Sequence, residues 1–363
     1  AARAEATDLV RGIDKGHDPL EAKRRRKAEP TMAELAAEWL DKHASGLKSV
    51  GTIRGLVNND IVPALGDVKV TDIRRRDIIE LVEAKAAKAP RSAAQLLVYA
   101  RKILTYAADR EVIAVNPIAD LKPTSITVKG QRNPLKPNPR DRVLTQDEIR
   151  AFWTNAETCG IHRLTALCLR LVLVTGQRPG EVAGMREDEI SGDWWIIPAS
   201  RRGKTSTSQA VYLTATARDI ISEAKAELDR LHKRRREPWS GYVFEAKPGA
   251  SITSSALSRA VARAGDTLGD TSEADGRARW RPHDLRRTMR TGLSAAKVSP
   301  DIAEIVTGHV IPGVRGVYDR HDFNDERRAA LEAWERRLMA IVAGDDPDAA
   351  RADNVIQLEG ARA

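Results

Sequence analysis

Residues 281–318 bring together Arg281, His283, Arg286, Arg287, His309 and Tyr318. Two histidines, several guanidinium groups and a phenol in so short a span suit chemistry at a phosphate, with tyrosine as the nucleophile. A phenol has a pKa of about 10, so at neutral pH it attacks well only where cations stabilise the phenolate and the phosphorane that follows. His283 and Arg286 stand three apart, one helical turn, and can point at one spot. An arginine fork matches two non-bridging phosphate oxygens. A second fork is available in Arg178, at the glycine-bounded turn Thr175-Gly-Gln-Arg-Pro-Gly-Glu181, where Pro179 suits a first helical position. Singly, each has a plainer reading: Arg178 as a surface residue, Glu181 as a first-turn carboxylate complementing a helix dipole, His309 after Gly308 as part of a helix C-cap.

Elimination narrows the nucleophile. Of five tyrosines, Tyr99 and Tyr106 lie seven apart on a helical pattern, Tyr212 sits in a β-rich run and Tyr242 adjoins Val243 and Phe244. Tyr318 instead follows a glycine-containing turn at 312–316 and is flanked by Asp319, Arg320, His321 and Asp322, which suits a ring that leaves the core.

The elements that must position these groups can be read from periodicity and caps. Thr31-Met-Ala-Glu34 is a capping box ahead of Leu35, Trp39 and Leu40, and starts a helix. A second helical pattern covers about 50–62 and is expected to stop at Pro63 and Gly66; a third runs over about 75–88. The fourth carries Leu96, Leu97, Ala100, Ile103, Leu104 and Ala107 at helical spacing before Asn116-Pro117. Residues 29–121 therefore read as a small helical domain. Residues 122–142, with Pro123, Pro134, Pro137 and Pro139 among lysines and arginines, read as a basic linker. A second capping box, Thr145-Gln-Asp-Glu148, opens a domain over 143–343 that is mostly helical. Its β interruption is a hairpin, Trp194–Pro198 and Gln209–Leu213, around a polar turn. The last helix, about 324–343, bears the stripe Leu331, Trp334, Leu338 and Ile341, which packs either on its own domain or on a neighbour. Residues 1–28 read as a short helix or arm, or as a solvated tail, and 344–363 as disordered.

Composition bounds the partners. Lys plus Arg number 60 against 51 Asp plus Glu, a net charge of +9, which fits a polyanion as well as it fits a merely basic soluble protein. Cys159 and Cys168 have no zinc-ligand spacing and read as thiols of a reducing cytoplasm. The longest apolar run, 169–174, is interrupted by Arg170 and is far too short to span a bilayer.

In their order along the chain, Thr-Gly-Gln-Arg178-Pro-Gly-Glu181, a hairpin lysine, His283-x-x-Arg286, Gly-His309 and Tyr318 resemble the tyrosine recombinase or phage integrase family. The likeness covers the second domain nearly throughout. The first domain, with Pro63-Ala-Leu-Gly66 and Asn116-Pro117, is similar to that family's core-binding domain. Residues 1–28, with Gly16 and Asp18-Pro19, resemble the end of the arm-binding region in integrases of temperate phages and genomic islands.

The resemblance implies a mainly α fold with a small β-hairpin, its two domains forming a clamp on duplex DNA. Tyr318 would attack the scissile phosphate to form a 3′-phosphotyrosyl bond. Arg178 and Arg286 would stabilise the phosphorane, His309 would hydrogen-bond it, and His283 would handle the proton of the attacking oxygen. Lys204 would protonate the 5′-oxygen, and Glu181 would orient the groups. No cofactor and no metal are required, because the covalent bond conserves the phosphodiester's energy. The implied partners are attachment-site DNA, a homotetramer joined through the C-terminal helix, and DNA-bending or directionality factors. The implied place of action is the cytoplasmic nucleoid. The chain departs from the family in two places: the hairpin turn is a residue longer before Lys204, which makes Arg202 a rival, and Gln209 and Tyr212 stand where a His and a Pro are frequent. A type IB topoisomerase and an inactive DNA-binding relative are the alternative readings.

Overall fold

The structure, a computed structural model, describes residues 19–47, 49–137, 139–203, 207–235, 238–272, 275–309 and 322–348. The chain divides into two compact units, Ala1–Pro139 and Arg140–Ala363.

In the first unit, a charged helix Pro19–Ala28 precedes the capped start at Thr31. Both halves of that capping box are made: Glu34 N–H donates to Thr31 Oγ1 at 3.3 Å and Thr31 N–H to Glu34 Oε2 at 2.8 Å. Helix Met32–Trp39 then widens into a π-turn over Leu40–Ala44. The second helical stretch passes Pro63, the first of its expected stops, and ends at Gly66, the second. Val50–Leu56 passes through a second π-turn, Val57–Ile61, into Val62–Leu65, and the chain turns at Gly66. Pro63 sits in the first turn of that last segment, where a missing N–H costs least. Helices Arg75–Ala86 and Pro90–Asp109 complete the unit, around a core that includes Ile53, Ile61, Ile78, Val82, Leu97 and Leu104. Asn116, buried, turns the chain back: its Nδ2 donates to Arg101 O at 3.1 Å and its Oδ1 accepts from Ile118 N–H at 2.9 Å.

The second unit is built around helix Arg163–Thr175, whose Leu164, Leu167, Leu169, Leu171, Val172 and Leu173 are all buried. An amphipathic helix needs one covered face; this one is covered on nearly every side, with Arg163 and Arg170 paired to Glu157 on the remaining edge. Helices Pro179–Ala183, Ala215–Arg235, Ser254–Ala264, Pro282–Ala295 and Asn324–Ala343 pack against it. A three-stranded antiparallel sheet, β1 (Ile190–Ser191), β2 (Trp194–Ile197) and β3 (Gln209–Tyr212), pairs Trp194 with Tyr212 and Ile197 with Gln209. Strands β4 (Glu245–Lys247) and β5 (Ala250–Ser251) form a second hairpin. Helix Pro300–Thr307 precedes the last helix.

The stripe on helix Asn324–Ala343 packs on its own unit: Leu331, Trp334, Leu338 and Ile341 are buried, and Trp334 Nε1–H donates to Leu173 O at 3.0 Å. At the crossing with helix Pro282–Ala295, a β-carbon at Gly292 would lie 2.0 Å from the Trp334 ring. At the start of the unit, Arg142 is buried and donates to Glu148, also buried. Burial pushes the Glu148 carboxyl up, yet the hydrogen bonds from Arg142 and Thr145 hold it below its usual range. Among the described residues no helix is long and apolar enough to cross a membrane.

Candidate active site

Helix Arg163–Thr175 ends at Gly176, in the left-handed region with φ 65°, and three residues later the chain re-enters a helix at Pro179. Arg178 is the extended residue between them. Its backbone N–H reaches Glu181 Oε2 at 3.3 Å and its Nη1 donates to Glu181 Oε1 at 2.8 Å. Glu181 is only 5% exposed and Arg178 32%, so a buried carboxylate fixes a guanidinium whose remaining N–H groups face outward.

His283 and Arg286 lie in the first turns of helix Pro282–Ala295. Asp284 caps that helix, accepting Arg281 N–H at 2.9 Å, and is itself held by Arg140 Nε at 2.9 Å and by Arg287. This orients the helix so that Arg286 points inward. Arg286 is 3% exposed; Nη1 donates to Gly176 O at 2.8 Å, and Nη2 reaches Thr307 O at 2.5 Å and His309 Nε2 at 2.9 Å. Burial, with repulsion from Arg178, pushes its pKa down to about 10, which leaves it cationic at neutral pH. Burial also pushes His283 down, helped by Arg286 and Arg287, so the imidazole is neutral and free to accept a proton. Arg178, Glu181, Arg201, Ser254, Arg281 and His283 line one cleft of about 560 Å³.

His309 is placed by the end of helix Pro300–Thr307. Gly308, at φ 70°, turns the chain back in a Schellman arrangement: His309 N–H donates to Glu304 O at 3.0 Å and Gly308 N–H to Ile305 O at 3.0 Å. The last carbonyls of a helix lack partners within it. Here side chains from four separate segments supply them. Gln209 Nε2 serves Ile305 O at 2.9 Å and Val306 O at 3.2 Å, Gln177 Nε2 serves Val306 O at 2.9 Å, Arg286 serves Thr307 O, and Arg202 Nη2 serves Gly308 O at 2.6 Å. Two cations at the negative end of this helix add a favourable dipole interaction.

Arg202 makes a second bond of this kind. Its Nη1 donates to Thr207 O at 2.8 Å, its side chain is 3% exposed, and burial pushes its pKa down. It ties Thr207 to Gly308, and its Nε lies 3.9 Å from Glu181 Oε1. Gln209, a departure from the family pattern, is a cap for the helix that carries His309. Tyr212, the other departure, is buried with its ring 5.4 Å from that of Trp194. Arg201 forks onto Glu189 at 2.6 and 2.7 Å.

Of the residues expected at the site, Arg178, Glu181 and His283 share the cleft, and Arg286 joins His309 to the Gly176 carbonyl two residues before Arg178. Lys204 and Tyr318 lie outside the described residues. Sequence reasoning missed Glu304, whose Oε2 accepts from His309 Nδ1–H and whose Oε1 accepts from Arg290 Nε at 2.9 Å. Its signal was the glycine: in a Schellman turn the residue after Gly308 folds back over Glu304. Among the described residues no three His, Cys, Asp or Glu side chains converge as a metal site. Of the other tyrosines, Tyr106 Oη donates to Glu38 Oε1 at 2.7 Å, Tyr99 packs on Trp39 and Arg186 lies over Tyr242.

The model of the phage integrase family matches residues 142–324, and that of the phage integrase central domain matches 32–124. The prophage integrase IntZ of Escherichia coli is 27% identical over 354 residues, covering 95% of this chain and 81% of the relative. The integrase of Shigella phage Sf6 is 23% identical over 347 residues, covering 92% and 82%. Among solved structures, a lambda integrase tetramer bound to a Holliday junction has a TM-score of 0.62 at 19% identity, covering 89% of this chain and 87% of that one. The Tn1549 transposon integrase in complex with circular intermediate DNA has a TM-score of 0.57 at 14% identity, covering 83% and 99%. The chain belongs to the phage integrase family, the tyrosine site-specific recombinases.

Proposed function

We propose that this recombinase cuts and rejoins duplex DNA at attachment sites of a mobile element through Tyr318. The phenolic oxygen of Tyr318 attacks the scissile phosphorus, a 3′-phosphotyrosyl bond forms, and the bond to the 5′-oxygen breaks. His283, neutral and beside Arg178 in the cleft, takes the phenolic proton, and Lys204 gives a proton to the departing 5′-oxygen. Arg178, oriented by Glu181, and Arg286 hold the non-bridging oxygens, and His309 hydrogen-bonds them. Rejoining reverses these steps with a 5′-hydroxyl from the partner duplex, and no external energy source enters the balance.

The observation that carries this reading is the single linked set of groups: Arg178 on Glu181, His283 in the same cleft, and Arg286 bonded to both Gly176 O and His309. Residues 29–121 would grip the DNA as a core-binding domain, with 122–142 along the backbone and 143–343 carrying the chemistry. The lambda integrase structure, a tetramer on a Holliday junction, supports a tetramer on DNA for this chain. The C-terminal helix would join protomers through its exposed side or through the chain beyond it, because its apolar stripe is buried in its own unit. Bending or directionality factors would assist on the nucleoid in the cytoplasm. The integrase relatives favour this over a topoisomerase.

The test is a nicked duplex carrying the element–host junction, which traps the covalent adduct. Wild-type protein should accumulate a protein–DNA species resistant to denaturant, Tyr318→Phe should form none, and Arg178→Ala should lose on the order of 3 kcal/mol of transition-state stabilisation. An adduct that persists in Tyr318→Phe would falsify the nucleophile assignment.

A further inference from the structure

The roles above use His309 but leave unexplained the two groups behind it. Glu304, in the last turn of helix Pro300–Thr307, accepts from His309 Nδ1–H through Oε2 and from Arg290 through Oε1, with Arg290 Nε at 2.9 Å and Nη2 at 2.8 Å. The other ring nitrogen, Nε2, lies 2.9 Å from Arg286 Nη2. A guanidinium has donors and no acceptor, so Nε2 must present its lone pair there, and the ring proton must sit on Nδ1. A carboxylate can only accept. The directions of the whole chain follow without choice: Arg290 donates to Glu304, His309 donates to Glu304, Arg286 donates to His309. Burial pushes the Glu304 carboxyl up, but the hydrogen bonds from His309 and Arg290 outweigh it and keep the group ionised at neutral pH.

We propose, resting on the reading that His309 faces the scissile phosphate, that Glu304 is a positioning residue that fixes the tautomer and ring orientation of His309. With Nδ1–H anchored, Nε2 is the nitrogen turned toward Arg286 and the phosphate. A donor to the phosphate at Nε2 requires the imidazolium, whose second proton displaces Arg286 Nη2–H from Nε2 and leaves that N–H for the phosphate, and the Glu304 carboxylate on the far side balances the charge. Arg290, on the adjoining helix, holds Glu304 in the orientation this requires. The arrangement is the outer-partner logic by which a second hydrogen bond sets what a histidine can do with its first.

The adduct assay on the nicked junction duplex separates this from a merely structural role. Glu304→Ala should slow adduct formation roughly 10- to 100-fold, by analogy with the range seen when carboxylate partners behind metal-binding histidines are removed. Glu304→Gln should recover only part of the rate, because its single amide oxygen can accept from Nδ1–H while its NH2 then meets the Arg290 donors and the negative charge is gone. His309→Ala should be slow, and adding Glu304→Ala to it should change nothing further. The proposal is overturned if Glu304→Ala works at the wild-type rate or if the two alanine effects multiply. A wild-type rate in His309→Ala overturns the reading of His309 itself, a different result from the other two. Imidazole nitrogen NMR on the intact, DNA-free chain gives a readout independent of activity and of variant folding. It should find the proton on Nδ1 of His309, and a bare Nδ1 would overturn the proposal.

Discussion

Arg202→Lys separates the two carbonyl groups that one guanidinium now joins. Nη2 serves Gly308 O at 2.6 Å, in a buried segment, while Nη1 serves Thr207 O at 2.8 Å, on exposed residues of the β2–β3 turn. A single ammonium cannot reach both. It should keep Gly308 O, because leaving a buried carbonyl unsatisfied costs about 1–3 kcal/mol, whereas water can replace the partner of Thr207 O. Stability should therefore fall by only about 1 kcal/mol. If Lys204 acts as proposed, the turn, no longer tied down, must be ordered at each catalytic event, and fixing even one residue costs about 1–2 kcal/mol, or about tenfold in rate. The predicted signature is a small loss of stability with a larger loss of cleavage. Arg202→Met, which abandons both carbonyls, should lose more of each. Denaturant unfolding of the full chain can be followed by tryptophan fluorescence. Of its 7 tryptophans, Trp153, Trp194, Trp195, Trp239, Trp280 and Trp334 lie in the second unit, so the signal reports on the unit in question. Adduct formation in single-turnover conditions supplies the rate. Arg202→Lys that matches wild type in rate while losing several kcal/mol would refute the reasoning, since it would make Arg202 a stabiliser of the fold with no hold on the turn.

Two further outcomes follow from the same geometry. Burial and the neighbouring arginines lower the His283 pKa below its ordinary 6.5, so the neutral base persists into mildly acidic solution. The acid limb of adduct formation should lie below pH 6.5, and the unfolded chain, whose histidine protonates near 6.5, should gain on the folded one as pH falls through that value; an acid limb at or above 6.5 that vanishes in His283→Gln would contradict this. Gly292→Ala places a methyl 2.0 Å from the Trp334 ring, which is buried and pinned to Leu173 O. Overpacking of about 1–3 kcal/mol should outweigh or cancel the gain of about 1 kcal/mol in helix propensity, and a variant more stable than wild type by that full gain would show that the two helices do not meet so closely.

Local signals carried most of the fold. The capping boxes at Thr31 and Thr145, the stripe from Leu96 to Ala107 and the hairpin around residue 200 are each written within a few residues, because caps and periodicity are short-range chemistry. The passage of the helical chain beyond Pro63 was not legible, since it depends on a π-turn that no composition announces. At the site, Arg178 with Glu181 and His283 with Arg286 are pairs one turn apart and so were visible. Their union was not: Arg286 reaches Gly176 O across 110 residues and Arg202 reaches Gly308 O across 106, and no pattern within a segment encodes a bond that long. The packing of Trp334 on Gly292 settled within one chain the choice left open for the terminal stripe.

The double use of Arg286 bears on how such an enzyme can decay. Its guanidinium supports the carbonyls of Gly176 and Thr307 and, in the proposed reaction, would also hold the phosphate, so a substitution there would damage architecture and chemistry in one stroke. Arg178 is partly exposed and supports no distant carbonyl, and the buried Glu181 it pairs with keeps the backbone N–H of residue 178 and Arg202 Nε at 3.9 Å, so its loss should disturb the fold less. Genetic lesions at the two arginines should thus differ in inheritance. In the proposed tetramer, copies altered at Arg178 would still join and poison the assembly, while copies altered at Arg286 would be cleared as misfolded chain and leave the intact copies to act.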